Sequence, residues 1–348
     1  MTKSRSPKGC VGAESCRLRD AVVGKRVLFV ATTYVDYLRI QQELKILKKY
    51  AKSVDLVVSK HKSYFVRLCY VYVSLLFKPM KQFDVVFLGF LPQLIQLFWW
   101  WKFRKKTVIT DFFISLYDTL VHDRRKFKDG KIIAKWLLWL DRFTVSRTDL
   151  LIADTKLHAH YFCSKMNGDV SKTMVLYLQA DAKYYYPKHV VKDKTYKGHY
   201  IVFYFATVLP LQGVDLVIDA ISQITNSKLH FIFVGPLNSV QKDKLFMQKK
   251  LTYYRWLGQE QLSELIAQSD LCLAGHFNNS IEKAKRTIPG KAYIFEAMNK
   301  EIILGENEAN KERYPEKYGK VNFVKMGSVQ ALKESILSAA GVQNDDKS

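Results

Sequence analysis

The feature that most constrains the fold is a strict alternation of short apolar segments with longer segments of helical periodicity. The apolar segments of the first half are KRVLFVAT (25–32), VDLVVS (54–59), FDVVFLG (83–89), KTVITDFF (106–113) and DLLIADT (149–155). Between them apolar residues recur at helical spacing, as at Ile40, Leu44 and Leu47, with lysines in between. Because strands that alternate with helices form parallel sheets covered on both faces, the sequence predicts a doubly wound α/β domain.

A second series of the same kind follows a polar stretch at 188–199, which we interpret as a linker. Its predicted strands are YIVFYFAT (200–207), KLHFIFVG (228–235), LTYYRWLG (251–258), DLCLAG (270–275) and EIILGE (301–306). The predicted organisation is a flexible tail (1–24), a first Rossmann-like domain (25–187), the linker, a second Rossmann-like domain (200–327), and a C-terminal helix with a tail (328–348). Since ligands of open α/β sheets bind beyond the carboxyl ends of the strands, we expect the two domains to face a cleft that holds the site.

The charge balance suggests an anionic partner. The chain has 55 Lys and Arg residues against 32 Asp and Glu residues, a formal net charge of +23. Nucleic acid, an anionic membrane surface and a phosphorylated substrate would each fit such an excess. We expect no nucleic-acid partner, because the sequence has no RNP, KH or zinc-finger pattern. No G-x-G-x-x-G segment follows a predicted strand, which counts against a nicotinamide-dependent dehydrogenase.

Neither a metal nor a cofactor is expected. The five cysteines are scattered and form no C-x-x-C pair, and no Asp-x-Asp motif or metal-spaced His/Cys cluster is present. The N-terminus lacks the apolar core of a secretory signal. The stretch 83–101 is long enough to span a bilayer, but it carries Asp84 and Pro92 and fits a buried strand followed by a helix better. We therefore expect a cytoplasmic protein, either free or peripheral at the inner membrane face.

A basic segment in the second predicted domain is a candidate anion site. Lys283, Lys285, Arg286 and Lys291 surround a Pro-Gly turn, and a helix is predicted to begin close to Lys291. A helix N-terminus offers free N–H donors and a positive dipole end, and neighbouring cations add charge-assisted hydrogen bonds to phosphate oxygens. The alternative is a solvated basic loop before a helix, which the composition also fits.

Several segments, in this order, resemble one family. YFATVLPLQGVDLVIDAI (204–221), KLHFIFVGP (228–236), YRWLGQEQLSELIAQSDLCLAG (254–275) and KRTIPGKAYIFEAMNKEIILGE (285–306) resemble the C-terminal domain of retaining glycosyltransferases with the GT-B fold. YLQADAKYYYP (177–187) resembles their interdomain segment, and DFFISLYDTLVHDRRKF (111–127) and DLLIADT resemble parts of their N-terminal domain. The likeness covers roughly residues 25 to 335.

The resemblance implies a metal-independent, hexosyltransferase-type enzyme that moves a sugar from a nucleotide-sugar donor to an acceptor hydroxyl. The nucleotide-sugar is then a co-substrate, and no separate cofactor is needed. The acceptor would be a glycan or a lipid-linked molecule, in cell-surface glycan or glycolipid synthesis. The second domain would bind the donor, and the first domain would shape the acceptor site.

The sequence departs from the family pattern in the turn that holds the donor diphosphate. Many members have a glycine-arginine pair and a lysine there, whereas this chain has Ala206, Thr207 and Gln212. The resemblance therefore implies that this turn, with Gly213 at the start of its helix, contributes backbone N–H groups and the hydroxyl of Thr207. This departure leaves a non-catalytic binding or scaffold protein on a degenerate GT-B fold as the alternative function.

The charge for the diphosphate must then come from elsewhere, and the resemblance assigns it to Lys285, Arg286 and Lys291. Glu296 corresponds to the ribose-binding carboxylate of the family, with a glutamate on a helix surface as the alternative. Ile288 occupies the place of the first glutamate in the paired-glutamate motif of some members.

Three residues of the first predicted domain are candidates for catalysis. Asp111 follows a predicted strand, and Asp118 and His122 lie four residues apart, on one face of a helix if the segment is helical. A carboxylate or an imidazole there could orient or deprotonate an acceptor hydroxyl. Helix capping by the aspartates and surface exposure of the histidine are the alternatives.

The segment WWWKFRKK (99–106) places tryptophans next to cations. This pattern suits a membrane interface, where aromatic rings lie at headgroup depth and cations contact anionic lipid. The alternative is that the tryptophans pack in the core while the lysines lie in water.

Overall fold

The computed structural model describes residues 11–315 and 318–345, with side chains from residue 17 onward. The chain divides into two compact units after Gln179, earlier than the boundary predicted at 187. Each unit contains one six-stranded parallel sheet with helices between the strands, which confirms the predicted pair of doubly wound domains.

The first unit has all its strands parallel, in the order β2-β1-β3-β4-β5-β6. The strands are β1 (Arg26–Val30), β2 (Ser53–Val57), β3 (Val85–Leu88), β4 (Thr107–Asp111), β5 (Leu150–Ala153) and β6 (Thr173–Val175). The helices are α1 (Val11–Val22), α2 (Leu38–Tyr50), α3 (Tyr64–Phe77), α4 (Pro92–Phe103), α5 (Ile132–Ser146) and α6 (Lys156–Met166). The stretch 83–101 is therefore a strand followed by a helix, as predicted.

Helices cover both faces of the first sheet. α1 and α2 pack on one face, around Phe29 and Phe87. α3 and α4 pack on the other, where Val71 and Ile95 belong to one core cluster with Val86. Helices α5 and α6 share a further cluster with the side chains of β5. No helix in the described part of the chain is long and apolar enough to cross a membrane.

Helix α1 corrects the prediction of a flexible tail over residues 1–24. Residues 11–22 are helical, and Leu18 and Val22 are fully buried in the core on the α2 face. The remaining part of that prediction, residues 1–10, lies outside the described residues.

The second unit also has a parallel sheet, in the order β12-β11-β10-β7-β8-β9. Its strands are β7 (Tyr200–Phe205), β8 (Leu229–Val234), β9 (Leu251–Tyr254), β10 (Leu271–Gly275), β11 (Glu301–Gly305) and β12 (Val321–Val324). Its helices are α7 (Val214–Ser222), α8 (Ser239–Leu245), α9 (Gln259–Gln268), α10 (Glu282–Arg286), α11 (Gly290–Ala297), α12 (Glu308–Arg313) and α13 (Val329–Ala339). The strand order reverses between β10 and β7, and this reversal point is where a doubly wound sheet binds its ligand.

The stretch 188–199, predicted as a linker, lies in the second unit and contacts its sheet. Lys192 forms an ion pair with Asp270, with 2.5 Å between Nζ and Oδ2, and Tyr196 is buried.

The strands β6 and β12, which lie at the edges of the two sheets, were not predicted from the sequence.

Candidate functional site

Two loops meet at the carboxyl edge of the second sheet, next to the point where the strand order reverses. One loop follows β7 and the other follows β10. The N–H of Phe277 donates to the carbonyl of Gln212 at 3.4 Å, and the side-chain amide of Asn278 donates to the carbonyl of Pro210 at 2.9 Å. Gly213 permits this approach, because its φ is +67° and a Cβ there would lie 2.9 Å from the backbone nitrogen of Asn278.

Lys291 places a buried cation at the same edge. It lies in the first turn of α11 and is only 6% exposed. Its Nζ lies 4.0 Å from the ring centre of Tyr204 and 5.7 Å from that of Phe205, the last two residues of β7. A Cβ added to Gly275, the last residue of β10, would lie 4.0 Å from the same Nζ. The ammonium group is therefore located between β7 and β10.

No carboxylate among the described residues acts on the pKa of Lys291. Among the described residues, the Nζ of Lys291 has no hydrogen-bond partner, and desolvation is the one cause that acts on its pKa. Burial lowers the pKa of Lys291 well below its usual range, since the charged form loses water and gains no carboxylate. Buried ammonium groups are costly unless they are paired. The position is therefore suited to an anionic ligand.

Two neighbouring polar groups are also unsatisfied. The Tyr204 hydroxyl and Oε1 of Gln212 are buried and have no hydrogen-bond partner among the described residues. The carbonyl of Gln212 would lie 3.6 Å from a Cβ on Gly275, the glycine next to the Lys291 ammonium. Native proteins contain few such groups, so these two, on residues that adjoin Lys291, are consistent with a polar ligand at this edge of the sheet.

Three other predicted donor-binding residues lie on or next to the same two loops, in more exposed positions. Thr207 is exposed, directly after β7. Lys285 is exposed on α10 and forms an ion pair with Glu282 at 2.5 Å, while Arg286 is half-buried at the end of that helix. α10 packs against the β7–α7 turn through Ala284. The turn and the basic helix are thus adjacent, and the roles of these residues in phosphate binding stay predictions.

Glu296 is surrounded by donors from within the second unit. Its carboxylate accepts hydrogen bonds from Arg313 at 2.5 Å, from the Tyr314 hydroxyl at 3.0 Å and from the Tyr318 hydroxyl at 2.8 Å. Burial beside this carboxylate raises the pKa of Tyr318 to about 12. Glu296 therefore anchors the segment that includes the end of α12. A role in ribose binding stays a prediction, and any ribose hydroxyl would have to compete with these three donors.

Asp111 is held in an ion pair inside the first unit. Arg39 donates to both of its carboxylate oxygens, from Nε at 3.0 Å and from Nη2 at 2.8 Å, and Asp111 has no exposed surface. Glu43 lies 3.5 Å from the same Nε, and burial with the charge of Asp111 raises its pKa well above the usual range. In this geometry Asp111 links β4 to α2, and a catalytic role for it stays a prediction.

Asp118 is also buried, and it begins a π-helical segment, Asp118–Asp123. Its backbone N–H donates to the hydroxyl of Ser115 at 2.9 Å. His122 is half-buried and packs edge-to-face on Tyr117, with 5.0 Å between the ring centres. No group of three or more His, Cys, Asp or Glu side chains in the described ranges is placed to hold a metal ion. Catalysis by Asp118 or His122 stays a prediction.

Sequence reasoning missed Asp141, a fully buried aspartate on α5 that organises this region. Its carboxylate accepts hydrogen bonds from the Ser115 hydroxyl at 2.6 Å, the Tyr117 N–H at 2.9 Å and the Gln93 amide at 2.8 Å. Burial raises its pKa to about 6. The signal in the sequence was an acidic residue at a core position of an otherwise apolar helix face.

A pocket of about 530 Å³ borders the β7–α7 turn, between that turn and the loop that carries Asn278 and Asn279. Lys291 is not among the residues that line it. Polar side chains at an open pocket are common, whereas a buried ammonium without a partner is rare. We therefore place the centre of the candidate site at Lys291 and regard the pocket as a neighbouring feature of the same edge.

No protein-family model matches the sequence, and no curated protein matches it either. Solved structures are similar in fold. A sucrose-phosphate synthase from Thermosynechococcus elongatus is 11% identical with a TM-score of 0.66, and the match covers 91% of this chain and 90% of that one. The Anabaena protein HepE, in complex with UDP and glucose, is 13% identical with a TM-score of 0.59, over 91% and 90% of the two chains. A putative UDP-N-acetylglucosamine 2-epimerase from Listeria monocytogenes is 10% identical with a TM-score of 0.54, over 92% and 88%.

Identities this low establish the fold and leave the reaction open, because one fold hosts many activities. The matches extend over both units of the chain, in agreement with the two parallel sheets and their strand orders. The resemblance found in the sequence is thereby confirmed at the level of the fold. The chain has the GT-B fold, with one Rossmann-like domain in each of its two units.

Proposed function

We propose that this protein is a glycosyltransferase that moves a sugar from a nucleotide-sugar donor to an acceptor hydroxyl. The observation that carries the proposal is the buried side-chain amine of Lys291, which has no hydrogen-bond partner among the described residues and lies where the strand order of the second sheet reverses. The diphosphate of a nucleotide-sugar has the complementary charge. HepE, one of the structures with a similar fold, contains UDP and glucose, which supports this choice of ligand.

The proposed role of the basic residues follows from the negative charge that develops on the diphosphate during sugar transfer. Breaking the bond between the anomeric carbon and the diphosphate leaves an oxocarbenium-like sugar and an additional negative charge on the nucleotide. A preorganised, dehydrated cation stabilises this charge more strongly than a hydrated one. In our proposal Lys291 takes this role, Lys285 and Arg286 extend the positive field, and Thr207 and Gly213 contact the donor from the β7–α7 turn.

The finer parts of the proposal concern the acceptor and the course of the reaction. We propose that the first unit binds a glycan or lipid-linked acceptor, in cell-surface glycan or glycolipid synthesis. We further propose that the reaction needs no metal ion and retains the anomeric configuration. A chelator should then leave the rate unchanged, and NMR of the product should show the anomer of the donor.

Calorimetry with UDP, GDP, ADP and CDP, followed by a panel of nucleotide-sugars, tests the proposal. We expect one nucleoside diphosphate to bind, and the matching nucleotide-sugar to release that diphosphate slowly in water and faster with an acceptor. UDP and UDP-glucose come first, because HepE holds UDP and glucose.

Other outcomes would point to other functions. Binding without release from any donor would favour the scaffold alternative. Conversion of the donor sugar without release of the diphosphate would indicate an isomerase. If no nucleotide binds, the proposal is wrong.

A further inference from the structure

Helix α3 in the first unit exposes an apolar face to solvent. Its inward residues Val71 and Leu75 are fully buried, and its single charged residue, Arg67, is buried as well. Phe65 and Phe77 are 72% and 78% exposed. Further exposed apolar residues follow at helical spacing, namely Val66, Tyr70, Val73 and Leu76. A helix that is apolar on both faces normally lies in a protein core or in a membrane.

Helices α4 and α5 extend this surface. Tyr72 of α3 packs on Phe98 of α4 with 5.5 Å between the ring centres, and Arg147, just after α5, lies 5.0 Å from the ring centre of Trp100 on α4. The exposed apolar residues of the two helices are Phe98, Trp100 and Trp101 on α4, and Ile132, Ile133, Trp136 and Trp139 on α5. We refer to the exposed apolar residues of α3, α4 and α5 as the apolar face. Exposed apolar residues concentrated on adjacent helices are typical of an interaction site.

The structure divides the tryptophan cluster that we predicted as a membrane contact. Trp99 is buried and packs in the core, whereas Trp100 and Trp101 are exposed. Lys102 and Lys106 donate to backbone carbonyls of residues 75, 76 and 83. Trp99 therefore follows the core-packing alternative, while for the exposed Trp100 and Trp101 the membrane contact stays a prediction.

Positive charges predominate on and around the three helices that carry the apolar face. The three helices contain a single acidic residue, Asp141, and it is buried. Exposed cations lie at the helix ends and along α5, and they include Lys81, Arg104, Lys105, Lys131 and Lys135. A recess of about 420 Å³ adjoins Trp100 and is lined by Arg104, Lys106, Arg147 and Lys172, with Asp149 as its only acidic residue.

We propose that the apolar face docks the first unit on an anionic bilayer. Aromatic side chains are stabilised at headgroup depth, and each Lys or Arg near an anionic surface adds about 1 kcal/mol. The recess beside Trp100 has the size and charge to take a lipid phosphate. A second copy of the chain fits less well, because a twofold interface would place this face and its cations against themselves.

Vesicle flotation of the full chain tests the proposal. We expect binding to vesicles that contain phosphatidylglycerol, little binding to vesicles of phosphatidylcholine alone, and release of the bound protein by salt. Arg104→Ser/Lys105→Ser should weaken binding roughly 30-fold, the product of two lost cations at ~1 kcal/mol each. Phe77→Ser/Trp101→Ser should weaken it about tenfold or more through lost apolar burial.

Matched controls lie in the second unit. Trp256 is 78% exposed, and Lys249 and Lys250 are exposed as well. Trp256→Ser and Lys249→Ser/Lys250→Ser should leave vesicle binding unchanged, and all variants should melt like the wild type because the replaced side chains are exposed.

Three results would overturn the proposal. The first is a wild-type protein that ignores anionic vesicles at low salt. The second is an equal loss of binding in the control variants. The third is light scattering that shows a dimer abolished by Phe77→Ser/Trp101→Ser, which would assign the apolar face to a second copy. None of these results depends on nucleotide binding, so this proposal and the proposed function fail independently.

Discussion

Replacing Lys291 by methionine should weaken nucleotide binding and stabilise the free protein. Methionine keeps the length of the side chain and removes its charge. A hydrogen bond to a charged group contributes about 1.5–3 kcal/mol, so the dissociation constant of the nucleoside diphosphate should rise about 10- to 150-fold. Lys249→Met is the matched control, since Lys249 is exposed in the same unit, just before β9, and is not one of the predicted donor-binding residues; it should leave the affinity unchanged.

The expected gain in stability follows from the lowered pKa of Lys291. Burial without a partner depresses this pKa in the folded protein, so the unfolded chain holds more protons between the folded pKa and the ordinary lysine value of about 10.4. Stability then rises with pH across that window. At pH 7 the deficit is at most about 4–5 kcal/mol, the free energy of deprotonating an ordinary lysine. The stability advantage of Lys291→Met should therefore be present at pH 7 and shrink as the pH approaches 10.

The number of protons taken up on nucleotide binding is a second measurement. It should be zero if Lys291 has only a structural role and does not contact the nucleotide. A bound diphosphate favours the charged form of Lys291 and so raises its pKa. Nucleotide binding should therefore take up protons in the wild type, at a pH between the pKa values of the free and bound states, and not in Lys291→Met. Calorimetry in two buffers of different ionisation enthalpy measures this uptake. Equal nucleotide affinity in wild type and Lys291→Met, with no proton uptake in either, would refute the assignment of Lys291 as the phosphate site.

Three further predictions concern residues that stabilise the interior of one unit, Arg39 and Asp141 in the first and Gly213 in the second. Arg39→Met should lower the free energy of unfolding by about 3–5 kcal/mol, because it leaves Asp111 buried without its cation; an unchanged urea midpoint would contradict this. Gly213→Ala should cost at least about 1–2 kcal/mol in thermal unfolding, because its φ is positive and Asn278 leaves no room for a Cβ. Asp141→Asn should cost about 1–3 kcal/mol, since its amide group would face the donors of Ser115 and Tyr117. Because burial raises the pKa of Asp141 to about 6, the wild type should lose stability relative to Asp141→Asn as the pH rises from about 4 to 6, and parallel pH profiles would rule this out.

The sequence alone determined the fold class and most of the strands. Segments such as β8 are almost entirely apolar, and all six residues of that strand are buried, as in a parallel sheet covered on both faces. The strands β6 and β12 were missed because they are three and four residues long and lie at the sheet edges. A fully buried strand is recognisable from its run of apolar residues. A short strand at the edge of a sheet has too few such residues to be recognised in the same way.

The sequence identified the basic segment that contains the candidate site, but it could not show which lysine of that segment is buried. Lys285 and Lys291 belong to one basic stretch, and composition treats them alike. The structure separates them, because α11 packs Lys291 against the ends of β7 and β10, while α10 leaves Lys285 in solvent beside Glu282. Burial of a charged side chain depends on which strands flank its helix, and this follows from the strand order of the sheet.

The partners of the acidic residues were decided by the tertiary structure. Asp111 pairs with Arg39 from 72 positions earlier in the chain, and Glu296 binds donors that follow it by 17 to 22 positions. The sequence shows each carboxylate at the end of a strand or on a helix, where catalysis, capping and ion pairing are equally compatible with it. Apolar periodicity is a local property that a sequence displays directly. The pairing of charges is set by distances between segments that become neighbours only when the sheet forms, so it was accessible only in the folded chain.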